Sequence, residues 1–300
     1  MSRKLVVLLL VVLALTGCTS PTEGLRLRIA TGFEGGVYNK LGSALATEWA
    51  TQLGMPRPEV LPTTGSPDNI ERLSSGAADI AFSAADVAID QRGNFSALAR
   101  IYDDYLHVVV RADGLINSIA DLKDKRVAIG ARESGVAVIA IRLLSVLNVN
   151  SQTVNLGLRD SSTALKEGRI DAFFWSGGLP TDEIVQLGDA ASIRLLDLTE
   201  NMPAIRARYD IYSAAAIPLS VYHTTNSKAV TTLVVPNLLL ATDRLPVDAA
   251  KVLTQGIFEA QKQLASQSTA ANSIDIRTAI ETQPIPLHEG ALQFYRDRKL

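Results

Sequence analysis

The side chains best placed to do chemistry fall in four short polar loops, each beside a strand or a helix start. The first is Arg28-Ile-Ala-Thr-Gly-Phe-Glu-Gly-Gly-Val-Tyr38, which reads as a strand running into a glycine-rich loop and then directly into a helix. Gly32, Gly35 and Gly36 carry no Cβ, so the loop can turn tightly and its backbone can approach a ligand closely. A helix opened by such a loop points free N–H groups at an anion or carboxylate. Thr31 and Tyr38 add hydroxyls to the backbone donors of Gly32, Gly36 and Val37; the bland alternative is a structural turn with Tyr38 in the core. The second loop, Thr63–Asn69, offers Gly65, with Ser66 as a helix cap, Pro67 as the first helical residue, and Asn69 either reaching a ligand or capping that helix. Ser83 closes the strand that follows. In the third loop, Ala131-Arg-Glu-Ser-Gly135, the Arg132 guanidinium can grip a carboxylate with two hydrogen bonds. Glu133 can instead neutralise it, or both can face solvent, while Ser134 and Gly135 open a helix that suits an anion. In the fourth, Trp175 and Ser176 lead into Gly-Gly-Leu-Pro180; the indole either floors a cleft or packs between strand and helix.

Catalytic and metal-binding patterns are missing. Gly130-x-x-x-x-Gly135 has the glycine spacing of a phosphate-binding P-loop but not the Lys-Ser/Thr that must follow. Gly32, Gly35 and Gly36 do not fit the dinucleotide Gly-x-Gly-x-x-Gly, and no Gly-x-Ser-x-Gly elbow occurs. His107, His223 and His288 are scattered without metal-ligand spacing, and His107 sits inside an apolar strand, as a core or hinge residue would. No catalytic residue, metal site or cofactor is expected.

The elements that position the loops repeat. Leu41, Leu45, Trp49 and Leu53 mark one face of a helix, and a strand at Glu59–Pro62 precedes the second loop. The short helix through Ile70 and Leu73 stops at Gly76, and Asp79 leads the apolar strand Ile80–Ser83. After the strong strand Tyr105–Arg111 the order begins again: a turn and strand over Asp121–Gly130, the third loop, a helix over Val136–Leu147, a short helix capped by Ser161-Ser-Thr and ended by Gly168, then Asp171 leading Ala172–Trp175. Gly76-Ala-Ala-Asp-Ile-Ala-Phe82 and Gly168-Arg-Ile-Asp-Ala-Phe-Phe174 are counterparts, with Asp79 and Asp171 capping turns or bonding backbone. Strands alternating with helices predict parallel α/β sheets, and two such units predict two lobes whose loops face a cleft that a hinge closes on a small molecule. Tyr105–Arg111 is the first crossover and Thr231–Thr242 the return; Val247–Ala265 and Thr278–Arg298 are helical in pattern and pack back on the first lobe.

With 300 residues, 47% hydrophobic and 20% charged, the chain can bury a large core. A net charge of -2 without a basic cluster leaves no nucleic-acid footprint. Arg3 and Lys4 precede the apolar run Leu5–Leu15, too short to span a bilayer and typical of a signal peptide. It ends in Leu15-Thr16-Gly17-Cys18, which resembles the bacterial lipobox; the alternative is an ordinary signal peptide with a chance cysteine. Residues 1–17 are then a lipoprotein signal peptide, 18–26 a tether lipidated at Cys18, and the mature chain has no free thiol. The lobes are 27–110 with 232–300, and 111–231.

Ile29-Ala-Thr-Gly with Gly35-Gly-Val-Tyr38, Thr64-Gly-Ser with Asn69, Gly76-x-x-Asp79, Asp86-Val-Ala, Asp121-Leu-Lys-Asp-Lys-Arg-Val-Ala-Ile-Gly130, Ser134-Gly135, Gly168-x-x-Asp171-Ala and Gly178-Leu-Pro180 together resemble the TAXI family of extracytoplasmic solute receptors of TRAP transporters. The resemblance covers about Leu27 to Ala260. It implies a two-lobe periplasmic-binding-protein type II fold, capture of a small organic anion (a dicarboxylate or an acidic amino acid), delivery to TRAP-type membrane permease subunits, and an extracytoplasmic place at the membrane. Departures stand at Ala84 and Ala85, where the family has a Gln-Ser pair, and at Glu133 and Val136, where it has Gly and Thr. A sensor lipoprotein feeding a signalling partner and an enzyme on the same fold are the alternative readings.

Overall fold

A computed structural model describes residues 21–91 and 93–300; the signal segment, the lipobox and Cys18 lie outside the described residues. One mixed sheet runs through the molecule, ordered β2-β1-β3-β10-β4-β7-β5-β6. Its strands are β1 (Arg28–Ala30), β2 (Glu59–Leu61), β3 (Ile80–Ala84), β4 (Phe95–Arg111), β5 (Arg126–Ala128), β6 (Gln152–Val154), β7 (Ala172–Gly177), β8 (Ile193–Leu195), β9 (Ser213–Ile217) and β10 (Val230–Thr242). β8 pairs with β4, and β9 with β10, off the main path.

Two parallel βα units flank a central pair. β1, β2 and β3 are mutually parallel, as are β5, β6 and β7. Between the units run the two long strands β4 and β10, antiparallel to each other over Phe95–Tyr105 and Val234–Thr242. β4 begins ten residues before the strand its apolar run predicts, because Phe95–Tyr102 pair with β10 inside the first unit. The crossover and return are therefore one continuous ribbon, nearly all of it buried.

Helices cover both faces. In the first half these are α1 (Val37–Leu53), α2 (Ser66–Ser75) and α3 (Ala85–Asp90); in the second, α4 (Gly135–Val146), α5 (Leu158–Lys166), α6 (Asp182–Ala190) and α7 (Met202–Arg208). The C-terminal α8 (Val247–Glu259), α9 (Gln261–Gln267) and α10 (Glu289–Asp297) return to the first half, where Leu253, Ile257 and Phe294 join Leu41, Leu45 and Trp49 in one core. The Trp49 indole N–H donates to the Leu253 carbonyl at 3.1 Å and fixes that docking. Thr278–His288 is not helical as the pattern predicts: Pro284 and Pro286 each lack an N–H, and the segment turns to lay Leu287 beside Ala97 of β4.

Each half carries the same brace. Arg28 donates from its backbone N–H (2.9 Å) and side chain (3.1 Å) to the Asp79 carboxylate, and from Nη2 to the Gly76 carbonyl at 2.8 Å. Arg126 does the same to Asp171 (2.9 and 3.2 Å) and the Gly168 carbonyl (2.9 Å). Gly76 (φ 77°) and Gly168 (φ 70°) occupy the left-handed conformation that turns each chain from helix to strand. The Gly-x-x-Asp repeat is thus a structural clasp between the first and last strands of each unit. Two caps differ from the sequence reading: α2 is capped by Gly65 instead of Ser66, and α5 starts at Leu158, capped by Gly157. In both cases a glycine in the preceding loop reaches the cap position first, leaving the serines inside the helix.

The halves also share a core. Ile70, Ala84 and Ala88 of the first pack with Val136, Ile139, Leu143 and Tyr212 of the second. Within it the buried Arg142 of α4 donates to the Asp86 carboxylate of α3 at 2.9 Å and to the Tyr212 hydroxyl at 2.7 Å, and Tyr212 donates to Asp86 at 2.6 Å. Arg142 also pairs with Asp90 and lies 4.8 Å over the Tyr209 ring. Burial pushes the Asp86 carboxyl above its usual range, while Tyr212 and Arg142 pull it back.

Candidate ligand-binding site

In the first loop, Gly35 alone of the three glycines adopts positive φ, at 80°, and Gly36 caps α1 at φ -70°. Thr31 is fully buried and directed inward: its hydroxyl donates to the Leu61 carbonyl at 3.0 Å. The Gly32 carbonyl accepts from Thr63 N–H at 3.2 Å. Asn69, also fully buried, donates to the carbonyls of Thr31 and Phe82 (2.7 Å to the latter) and accepts from the Thr63 hydroxyl at 2.6 Å. It knots β1, β3 and α2 together, and its polar atoms are satisfied inside the first half. Ser83 likewise donates to a neighbouring carbonyl, that of Ala84, at 2.9 Å. Ala84 and Ala85 pack in the shared core.

Tyr38 reaches further. Its ring stacks on Phe82 (centroids 5.2 Å apart) and meets Tyr102 edge-on at 6.2 Å. Its hydroxyl lies 3.3 Å from the Ser66 Oγ and donates to the Asn237 Oδ1 of β10. Burial holds that hydroxyl well above its ordinary pKa, so it remains protonated at neutral pH. Ser66 in turn accepts from the Ala84 N–H at 3.0 Å, which places its hydroxyl at the start of α2, facing the other half.

Across the gap stands α4. Its cap, Ser134, accepts from the Ala137 N–H at 3.3 Å and donates to the Ala131 carbonyl at 2.7 Å. The Gly135 and Val136 N–H groups, in the first turn, have no helical partner by position. A Cβ placed on Gly135 would lie 3.7 Å from the Ser66 Oγ, so the starts of α2 and α4 approach each other across the two halves. Arg132 is exposed and forms no ion pair among the described residues, and neighbouring Glu133 takes positive φ (58°). Trp175 sits on the opposite sheet face from Ser176, its indole donating to the Thr181 hydroxyl at 3.1 Å. Ser176 is buried with its Oγ unbonded.

Sequence reasoning missed two polar residues of the central ribbon next to Tyr38. Asp104 of β4 and Asn237 of β10 come from the central ribbon, and a register shift in the β4–β10 pairing falls immediately after Asn237. Burial pushes the Asp104 carboxyl up to about 7; Asn237 and Tyr102 draw it down and the Asp103 and Asp86 charges raise it. The signals were present: two aspartates inside a strand, and an asparagine after Pro236 in an otherwise apolar run. Asp86, Arg142 and Tyr212 were missed because their partnership spans 126 positions.

The outer groove along α2 has a volume of about 920 Å³, with Thr64, Asp68, Glu71, Gln91 and Glu133 among the described residues on its walls. The histidines meet no nucleophile suited to catalysis: His107 faces the Tyr222 hydroxyl at 3.0 Å, His288 caps α10, and exposed His223 contacts Asp189.

The chain belongs to the NMT1-like family, whose model matches residues 29–298. Its fold is that of the type II periplasmic binding proteins. The periplasmic aliphatic sulphonate binding protein SsuA from Escherichia coli superposes with a TM-score of 0.52 at 16% identity, over 91% of this chain and 82% of that one. XAC2383 from Xanthomonas citri, in a structure bound to ATP, gives 0.59 at 14% identity over 91% and 98%. The GluR0 ligand binding core in complex with L-glutamate gives 0.53 at 12% identity over 82% and 97%. Among the described residues no helix is long and apolar enough to cross a membrane.

Proposed function

We propose that this protein is an extracytoplasmic solute-binding receptor that captures a small molecule bearing an acid group between two lobes, 27–110 with 232–300 and 111–231, and delivers it to a membrane permease. The observation that carries this reading is the meeting of two helix starts from opposite halves, Ser66 of α2 and Gly135 of α4, beside the Tyr38 hydroxyl. Free N–H groups and the positive end of a helix favour an anionic group there. In this reading Tyr38, Ser66, Ser134, Gly135 and Ser176 face the ligand, while Thr31 and Asn69 build the wall behind them. Arg132 has the freedom to swing onto a carboxylate. The ordered motifs that resemble the TAXI receptors favour a TRAP-type permease as the partner, and the lipobox favours a lipid anchor on Cys18 at the outer face of the membrane. A binding role is supported by the fold neighbours, which include a periplasmic sulphonate binding protein and a ligand binding core.

The test is thermal-shift and calorimetric titration of the mature chain with sulphonates, dicarboxylates, amino acids and their amides. A true ligand at a hundredfold excess over Kd stabilises by about 2.7 kcal/mol. Arg132→Ala should weaken acids more than amides. Flat titrations across every class would overturn the receptor reading.

A further inference from the structure

The chain crosses between the two halves only in β4 and β10, so apart from that ribbon the halves are joined by non-covalent contact. Much of that contact runs along α4. Val136, Ile139, Ala140 and Leu143 recur at helical spacing and join one apolar core with Ala84, Ala85, Val87 and Ala88 around the start of α3 in the first half. Ala84, Ala85 and Val136 are three of the four positions at which the sequence departs from the TAXI pattern, and each sets an apolar side chain where that pattern has a polar one.

A buried cation stands in this apolar seam. Arg142 of α4 is only 7% exposed, and a guanidinium does not give up its proton in a protein. Its Nη1 donates to the Asp86 carboxylate at 2.9 Å and to the Tyr212 hydroxyl at 2.7 Å. Its Nη2 donates to the Asp86 carbonyl at 3.5 Å and pairs with Asp90 at the solvent edge. Tyr212 closes the ring by donating to Asp86 at 2.6 Å, and the Tyr209 ring covers the guanidinium at 4.8 Å. The arginine and both tyrosines belong to the second half. Both carboxylates belong to α3 of the first, so the charge of Arg142 is matched entirely from the other side of the seam.

A charged pair is a poor weld. Taking two charges out of water costs roughly what their attraction returns, and apolar side chains of like volume often hold such a seam as well or better. What the pair adds is a closed state of one geometry, set by directional hydrogen bonds, and an open state in which both charges are hydrated. We infer that Asp86 and Arg142, with Tyr212, form a latch that keeps the halves closed before any solute arrives, so that the open form appears only when the latch lets go. This rests on the two-lobe receptor reading, in which the halves part to admit a solute. A solute then meets its site only in the unlatched fraction of molecules, and its apparent affinity falls by that fraction. The strength of the latch thus sets how readily the receptor loads, independently of the side chains that touch the solute.

The experiment reads the separation of the halves with no ligand present. Nitroxide labels are placed at the exposed positions Ser75 of α2 and Ser145 of α4 through Ser75→Cys and Ser145→Cys, in a mature chain carrying Cys18→Ser because Cys18 is the one native cysteine. Pulsed electron–electron double resonance then gives the distance between them. The expected wild-type result is one short distance, with the open form at about 1%, within the ordinary range of a minor state. Asp86→Asn, an isosteric change, leaves Arg142 without its buried counter-charge, and Arg142→Met leaves Asp86 without its own. Each should raise the open:closed ratio roughly 100-fold, the scale of losing one partner of a buried pair, and bring the open form to about half. The two changes together leave no uncompensated buried charge and should restore the short distance. Asp79→Asn, which cuts the brace inside the first half, should leave the distance unchanged.

An open wild type contradicts the latch. So does an unchanged short distance in both single variants while circular dichroism shows them folded. A double variant as open as the single ones also contradicts it, since shape and not charge would then hold the seam, and opening in Asp79→Asn would mean that any loss of stability parts the halves. If neither single variant folds, Tyr212→Phe decides: it removes one hydroxyl and keeps the charge pair, and it should add a longer distance that the wild type lacks, an unchanged distribution being the contrary result. These distances need no solute, so the titration already described decides the receptor reading separately.

Discussion

In the first half of the sheet Arg28 clasps Asp79 and the Gly76 carbonyl; in the second Arg126 clasps Asp171 and the Gly168 carbonyl, bond for bond. Beyond the braces the halves part. The first loop is knotted by buried Asn69, whose amide touches three segments. Its counterpart at Ala131–Ser134 is exposed and held chiefly by Ser134 and by Asn155, which donates to the Gly130 carbonyl at 3.2 Å. The first loop is therefore held firmly and the second loosely. Duplicated scaffolding sets where a loop begins; the side chains inside the loop decide how firmly it is held.

The largest effect should come from cutting the contact that joins the halves. Arg142→Ala strands the buried Asp86 carboxylate, and losing one partner of a buried pair typically costs about 3–5 kcal/mol. Denaturant unfolding should show it as a lower midpoint, and an unchanged midpoint would mean the halves are held by apolar packing alone.

Next, the contrast between loops predicts unequal costs for like substitutions. Asn69→Ala removes three buried hydrogen bonds, leaving the Thr31 carbonyl and the Thr63 hydroxyl only each other, and should cost about 3 kcal/mol, at about 1 kcal/mol or more per buried bond. Asn155→Ala should cost under about 1 kcal/mol, the net worth of one ordinary hydrogen bond. Equal losses would erase the distinction between a firmly and a loosely held loop. The braces make the opposite forecast: Asp79→Ala and Asp171→Ala should each cost about 1–2 kcal/mol and match each other, since both are partly exposed charge-assisted contacts.

A pH effect lies within the ribbon. The folded state holds the Asp104 proton more tightly than the unfolded chain, so its contribution favours folding at low pH and is lost as pH rises from 3.8 through about 7. Asp104→Asn should raise the melting temperature of the ligand-free protein at pH 8 and change it little at pH 4. His107 acts in the reverse direction: burial lowers its pKa to about 4, so its contribution is present above 6.5 and lost as pH falls from 6.5 through about 4.

Local signals carried much of this architecture. Strand–loop–helix order, Gly-x-x-Asp and the short helix ending at Gly76 depend on neighbours in sequence, and each reappears in the structure. Thr31 and Asn69 were marked by residue type as ligand donors, yet their polar atoms turn inward, because whether an amide faces a cleft or a carbonyl depends on strands far along the chain. Asp104 and Asn237 escaped notice for the same reason. They lie 133 positions apart, and only the pairing of β4 with β10 brings them together.

The most direct measurement is a crystal structure of the mature chain with the tightest-binding member of the titration series. The account predicts one molecule held jointly by both halves, its acid group at Ser66 and Gly135. A ligand touching only one half, or bound outside the space between α2 and α4, would contradict it.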